Sequence, residues 1–249
     1  MSTFAFVVIA IAVIITSFIS GILGMAGGMI LMGVLLALVP VPVAMMLHGT
    51  TQMASNGWRA WLWREHINWR VFWGTVYGGI LVVAVFSALQ FSASRAVVYI
   101  ILGCMPFVSY VLPESLRLNV DKPWHPFICG VVCTIMTLLS GVAGPLLDVF
   151  FIQSKMDRKG VVATKAMSQT VSHIIKVLYF GGLLAAGKGS IDWWFALGLI
   201  VLAMFGTTLS RKVLEKMSDV NFRNYTRWTL SVIGVYYLCT GVWMLMQAR

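Results

Sequence analysis

Apolar segments of about twenty residues recur along the whole of this 249-residue chain. An α-helix of that length spans the hydrocarbon core of a membrane, which is roughly 30 Å thick. Apolar residues make up 59% of the sequence and charged residues only 10%, which is more apolar surface than the core of a soluble domain can bury. The sequence therefore predicts an all-α polytopic membrane protein.

The apolar segments form eight blocks, and a polar stretch separates the first four from the last four. We predict a first half at 1–112, a linker at 113–125 and a second half at 126–249. Because the N-terminus lacks the basic region and cleavage site of a signal peptide, we expect the first block to remain in the mature chain. The predicted blocks are 4–39, 43–62, 71–90, 96–112, 126–152, 161–184, 193–210 and 228–246.

The two halves share a repeated pattern at a shift of 117 residues. This shift aligns the glycine-rich interruptions "GMAGGMILM" at 24–32 and "GVAGPLLDV" at 141–149, each of which lies inside an apolar block. It also aligns two sets of polar residues with the spacing i, i+4, i+7, i+8, i+11, which forms one stripe along an α-helix. The sets are His48, Gln52, Ser55, Asn56 and Arg59, and Lys165, Gln169, Ser172, His173 and Lys176.

A membrane helix turns such a stripe away from lipid, towards protein or a water-filled cavity. A single polar residue in a membrane helix also serves as an interhelical hydrogen-bonding group, without any pathway. Two matching five-residue stripes, each ending in a cation, favour a lined pathway.

Loop charges indicate how the glycine-broken blocks cross the membrane. If each block enters and returns as a hairpin, thirteen of the 18 lysines and arginines fall in loops on one side and three on the other. Because basic loops remain in the cytoplasm, the hairpin arrangement is favoured, with both termini in the periplasm. A hairpin and three further helices make an odd number of crossings. We therefore predict two inverted repeats, the architecture of transporters with a binding site at mid-membrane.

The glycine interruptions bring helix N-termini into the membrane interior, where free N–H groups and partial positive charge favour an anion. Glycine also allows a ligand to approach the backbone closely. The alternative is close packing of helices through small residues. The glycines assigned to this region are Gly24, Gly27, Gly28, Gly141 and Gly144.

The titratable residues inside the apolar blocks favour an anion over a cation. Lys165 and Lys176 are cations, whereas Asp148 is the one carboxylate well inside an apolar block. We assign Asp148 either to an ion pair with a lysine or to proton coupling. His48 and His173 titrate near neutrality and can relay protons, or serve as hydrogen-bonding packing residues.

Two other functional classes are disfavoured. The net charge of +10 and the mixture of tryptophan and arginine in "WRAWLWREHINWR" are typical of an aromatic belt beside a cytoplasmic loop, not of a nucleic-acid site. No HExxH, GxSxG or paired-acid motif indicates an enzyme. The cysteines are interpreted as small core residues rather than redox or metal sites: Cys104, Cys129, Cys133 and Cys239.

Four motifs together resemble those of the TauE/SafE sulfite-exporter family of bacterial membrane permeases. They are "GILGMAGG", "LHGTTQMASNG", "SGVAGPLL" and "VATKAMSQTVSHIIK", and the resemblance covers nearly the whole chain. It implies export of small sulfur-containing anions such as sulfite or organosulfonates, for example sulfoacetate. Pro145, at the position of Gly28 in the first half, departs from the glycine pattern.

We therefore expect a secondary transporter in the bacterial inner membrane that works by alternating access, without a cofactor or metal. Its expected partners are a small anion and the lipid bilayer, and a homo-oligomer is compatible with the sequence. Alternatives are a transporter of another organic anion, such as a carboxylate, or a scaffold subunit that transports nothing. The expected substrate-binding residues are Gly24, Gly27, Gly28, Gln52, Ser55, Asn56, Arg59, Gly141, Gly144, Gln169, Ser172, His173 and Lys176.

Overall fold

The computed structural model is 86% helical and describes residues 3–23, 25–111, 113, 118–187, 192–214 and 219–247. No β-strand occurs among these residues, so the all-α prediction is confirmed. The helices of the described part are α1 (Thr3–Leu23), α2 (Ala26–Leu38), α3 (Val41–Leu62), α4 (Trp69–Leu89), α5 (Arg95–Val111), α6 (His125–Ser140), α7 (Gly144–Phe151), α8 (Arg158–Ala186), α9 (Trp193–Leu214) and α10 (Asp219–Gln247), with a short 3-10 turn at Arg64–His66.

Within the described ranges, four stretches of helix are long and apolar enough to cross a membrane: Phe4–Ile22, Trp69–Leu89, Trp193–Ser210 and Arg227–Gln247. Their outer faces carry large apolar side chains, such as Trp73, Tyr77 and Ile80 of α4, that are at least half exposed. In a membrane protein such faces contact lipid. The helices α3 and α8 are also long, but their polar stripes lower their hydropathy, and they pack against each other in the interior.

Side chains and glycine set several helix ends. The carboxylate of Asp157 accepts a hydrogen bond from Gly160 N at 2.9 Å and begins α8, whereas Asn68 caps α4 in the same way. The helix α6 ends at Gly141, whose φ of +84° is in the left-handed region that favours glycine. The helix α10 begins at Asp219 rather than at 228, because a helix can continue past the apolar residues that define the predicted block.

Both glycine-rich interruptions break the helix. The helix α1 ends at Leu23 and α2 begins at Ala26, whereas the break between α6 and α7 falls at residues 141–143. The two arms α1 and α2 pack closely against each other. The helix α7 has only eight residues, or about 12 Å of rise, so it is too short to cross the membrane alone.

The main helix pairs are α3 with α8, α1 with α9, α5 with α10 and α4 with α6. These pairs agree with a repeat in which α1 to α5 correspond, in order, to α6 to α10. Under this correspondence the pair of α1 with α9 becomes the pair of α6 with α4, and the pairs of α3 with α8 and of α5 with α10 are unchanged. Glycine permits the close approach: a Cβ added at Gly206 of α9 would collide with α1, and one at Gly130 of α6 would collide with the Thr75 backbone of α4.

Hydrogen bonds between loops identify one end of the helix bundle. At one end, Arg70 donates to the carbonyls of Val120 and Asp121 at 3.0 and 2.9 Å, and Ser154 donates to Asp121 at 2.9 Å. The loops after α3, before α6 and after α7 therefore lie together. They are three of the four loops that the charge distribution assigns to the cytoplasm.

Candidate functional site

The polar stripes of α3 and α8 lie in the interior of the protein. The side chains of His48, Gln52 and Asn56 are at most 5% exposed. In the second stripe, Lys176 is fully buried and His173 is 6% exposed. The helices α3 and α8 form the largest helix pair in the described part of the chain, so the two stripes meet at the centre of the molecule.

The Lys176 ammonium links the two halves. Its Nζ donates to His48 Nδ1 at 2.7 Å and to the carbonyl of Gly141 at 2.8 Å. The other ring nitrogen of His48, Nε2, lies 2.9 Å from the carbonyl of Gly28. Because a carbonyl can only accept, His48 donates through Nε2 and accepts from Lys176 through Nδ1. A continuous chain of hydrogen bonds therefore connects the break before α2 with the break after α6.

The other striped cations are paired within the protein. Arg59 donates to the carbonyl of Ser20 at 3.1 Å, in the last turn of α1. Arg59 thus donates to the C-terminal end of α1, and Lys176 donates to the C-terminal end of α6. The helix dipole is negative at both of these ends. Lys165 forms an ion pair with Asp148, which connects α8 to α7. Asp148 is 42% exposed, because α7 turns it away from the core.

Polar residues of the first stripe bond mainly to other protein groups. Ser55 and Thr207 share a hydroxyl–hydroxyl hydrogen bond of 2.8 Å between α3 and α9. Asn56 donates to Gln52 at 3.4 Å within α3. In these contacts the Ser55 hydroxyl and one N–H of Asn56 bond to protein groups.

The glycines of the two breaks have different surroundings, and Gly24 lies outside the described residues. A Cβ at Gly27 would collide with the backbone of α1, whereas a Cβ at Gly28 would lie 3.2 Å from Gln52 Nε2. Around the second break the neighbours are methionine side chains. The thioether of Met25 lies against Gly144, and those of Met32 and Met45 lie against Gly141. The two breaks therefore lie side by side.

A small cavity of about 20 Å³, about the room that one water molecule needs, lies beside the second break and is partly open to the outside. His173 is one of the residues that line this cavity. Its Nδ1 atom is buried and has no hydrogen-bond partner among the described residues. The short helix α7 begins at the cavity, so its first-turn N–H groups add partial positive charge there. The lining residues are Thr75, Cys129, Gly130, Cys133, Thr137, Ala143, Leu147, Ser168, Gln169, Ser172 and His173.

The structure thus brings Gln169, Ser172 and His173 together at one cavity. Sequence reasoning missed the contributions of α4 and α6, among them Cys129 and Cys133. The spacing of the two cysteines shows that they share a helix face. It does not show which neighbour that face meets.

The sequence profile of the sulfite exporter TauE/SafE family matches residues 8–237, which include both broken hairpins and the cavity. The chain belongs to the TauE/SafE sulfite exporter family. The resemblance of the four motifs is therefore confirmed. No curated protein and no solved structure matches the chain.

Membership of the TauE/SafE family, together with the apolar helices, makes the chain a multi-pass membrane protein and a transporter of sulfur anions such as sulfite. Transport, not catalysis, is the activity of the family.

Proposed function

We propose that this protein exports small sulfur oxyanions across the bacterial inner membrane as a secondary transporter. The proposed mechanism is alternating access between two inverted halves, each of which is a broken hairpin followed by three helices. Residues 113–125 are the proposed linker, and both termini are placed in the periplasm. The exchange of helix pairs between the halves and the clustering of basic loops at one end support this architecture.

The unpartnered Nδ1 of His173 carries the proposal for the site. A buried ring nitrogen without a partner costs about 1–3 kcal/mol, and His173 is one of the residues that line the cavity, which supports a ligand there. The neighbouring Gln169 amide can donate to anion oxygens. The Ser172 hydroxyl donates to the Ser168 carbonyl at 3.1 Å and must turn from it to donate to an anion. The N-terminus of α7 adds positive potential.

The binding site is proposed to lie in the second half only. In the first half, Ser55 bonds to Thr207 of the neighbouring helix α9, whereas the corresponding Ser172 donates to the backbone of its own helix. Asn56, at the position of His173, bonds to Gln52. The Lys176 link contributes a positive charge behind His173 and ties the cavity to the first half. Binding in the cavity is thereby coupled to the interface between the halves, which alternating access requires to move.

The ion pair of Lys165 and Asp148 is proposed to hold α7 against α8 rather than to bind the anion. His48 is proposed either to exchange a proton with Lys176 through Nδ1, or to stay neutral with its Nε2 proton held by the Gly28 carbonyl. The sequence contains no nucleotide-binding motif. Coupling is therefore proposed to come from an ion or proton gradient.

Counterflow in proteoliposomes tests the proposal. Vesicles preloaded with unlabelled sulfite should accumulate radiolabelled sulfite, and excess sulfoacetate should compete, whereas acetate should not. Exchange of carboxylates without exchange of any sulfur anion would instead support the organic-anion alternative. Absence of all exchange by folded protein would favour the scaffold alternative.

Matched variants locate the site. His173→Leu and Ser172→Ala should weaken sulfite binding by about tenfold, the effect of losing one hydrogen bond of about 1.4 kcal/mol. Ser55→Ala is the matched comparison, because the Ser55 hydroxyl bonds to Thr207. An equal loss in Ser55→Ala and Ser172→Ala would contradict a site confined to the second half.

A further inference from the structure

The cavity has walls of two chemical kinds. The helix α8 contributes nitrogen and oxygen groups through Gln169, Ser172 and His173. The helix α6 contributes two sulfur atoms, those of Cys129 and Cys133. An oxyanion needs hard hydrogen-bond donors around its oxygens. Thiols are soft and weak donors, so binding of the oxygens does not explain why they line the cavity.

The two thiols form a defined pair. They are 0% and 6% exposed, and their Sγ atoms are 3.9 Å apart, so one thiol donates weakly to the other. Both residues line the cavity, and the thiol that accepts in this pair keeps its own S–H for another partner. The other cysteines, Cys104 and Cys239, are exposed.

The packing of α6 holds this face in place. Gly130, between the two cysteines, lies so close to the Thr75 backbone of α4 that an added Cβ would collide with it. Rotation of α6 about its axis would bring a bulkier residue against α4. The cysteines therefore remain turned towards the cavity.

We propose that Cys129 and Cys133 are specificity-determining residues that recognise an exposed sulfur atom on the transported anion. This inference rests on the proposed function. Sulfite is pyramidal, with three oxygens on one side of sulfur and a lone pair on the other, and thiosulfate carries a terminal sulfur. Sulfate has an oxygen, and a sulfonate a carbon, at the corresponding position. A polarisable sulfur suits a thiol wall, while the oxygens face the donors of α8.

Selectivity measured on the purified full-length protein tests this assignment. Dissociation constants for sulfite, thiosulfate, sulfate and methanesulfonate are compared by calorimetry in the parent, Cys129→Ser and Cys133→Ser. Serine keeps the size but is a harder and stronger donor. The preference for sulfite over sulfate should fall by about three- to tenfold, the range for one weak to ordinary hydrogen bond. Cys104→Ser and Cys239→Ser should leave the preference unchanged.

The thiosulfate measurement separates the two sources of an exposed sulfur. Tighter binding of thiosulfate than of sulfite assigns the thiols to a terminal sulfur, and the reverse order assigns them to the sulfite lone pair. Either order supports the inference, provided that serine reduces the preference for that anion over sulfate.

Infrared spectroscopy provides a second measurement that does not depend on folding of the variants. In the parent, the S–H stretching band should shift when sulfite or thiosulfate binds and stay fixed when sulfate binds. An unchanged band together with unchanged selectivity in folded Cys→Ser variants overturns the inference and leaves the proposed function standing. A parent that binds none of the four anions overturns the proposed function itself.

Discussion

Lys176 is a fully buried cation whose described partners are a histidine ring nitrogen and a backbone carbonyl rather than a carboxylate. Burying an ammonium is unfavourable unless its hydrogen bonds are satisfied. His48 Nδ1 and the Gly141 carbonyl satisfy two of its three donors. When it is protonated, Lys176 adds positive potential beside His173, which lies one turn earlier on α8.

Lys176→Met removes this charge and keeps a similar side-chain length. We expect sulfite binding to weaken by about 1.5–3 kcal/mol, the range for an interaction with a charged group. Calorimetry on the purified variant measures the loss. Lys165→Met is the control, since Asp148 already neutralises Lys165, and its loss should be smaller. Unchanged affinity in folded Lys176→Met would make the lysine purely structural.

At the scale of helices, the two glycine breaks are alike in sequence and different in packing. Gly27 lies against the backbone of α1, which cannot move without displacing the helix, whereas Gly144 lies against the flexible Met25 side chain. The shift of 117 residues makes these positions equivalent. Only the helix packing distinguishes a backbone neighbour from a flexible side chain.

Gly27→Ala should therefore destabilise the protein by about 1–3 kcal/mol, as overpacking does, whereas Gly144→Ala should cost less. Thermal unfolding in detergent compares the two variants. Gly182→Ala is the matched control, because an added Cβ at Gly182 meets nothing within 4 Å. Equal melting temperatures for Gly27→Ala and the control would contradict the close packing of α2 on α1.

The sequence predicted the breaks and the stripes because glycine and polar residues stand out against an apolar background. It could not predict their partners. Ser55 and Thr207 are separated by 152 positions, and their contact depends on the pairing of α3 with α9. Cys129 and Cys133 resemble ordinary apolar residues in composition, so only the packing of α6 against α4 and α8 assigns them to the cavity.

At the scale of the whole molecule, the contacts of Arg70, Asp121 and Ser154 gather three predicted cytoplasmic loops at one end. Arg95 donates to the Val39 carbonyl at 3.0 Å, which joins the loop before α5 to the loop after α2. Both of these loops are predicted to be periplasmic. The grouping of loops agrees with the sides inferred from charge.

Single cysteines in a cysteine-free background test this topology. Cysteines at Ser92 and Gly187, which are exposed, should react with an impermeant thiol reagent in intact cells. Cysteines at Glu65 and Gln153, also exposed, should react only after the membrane is opened. Labelling of Glu65 and Gln153 from opposite sides would contradict the hairpin arrangement.

The burial of Lys176 has an electrical consequence for the proposed mechanism. Moving one elementary charge across a membrane potential of 100 mV changes its energy by about 2.3 kcal/mol. Under the proposed alternating access, a protonated Lys176 carries its charge through part of that field while the protein is empty, and a singly charged anion bound beside it cancels the charge. We therefore expect the membrane voltage to bias the orientation of the empty transporter and to leave the loaded one unaffected.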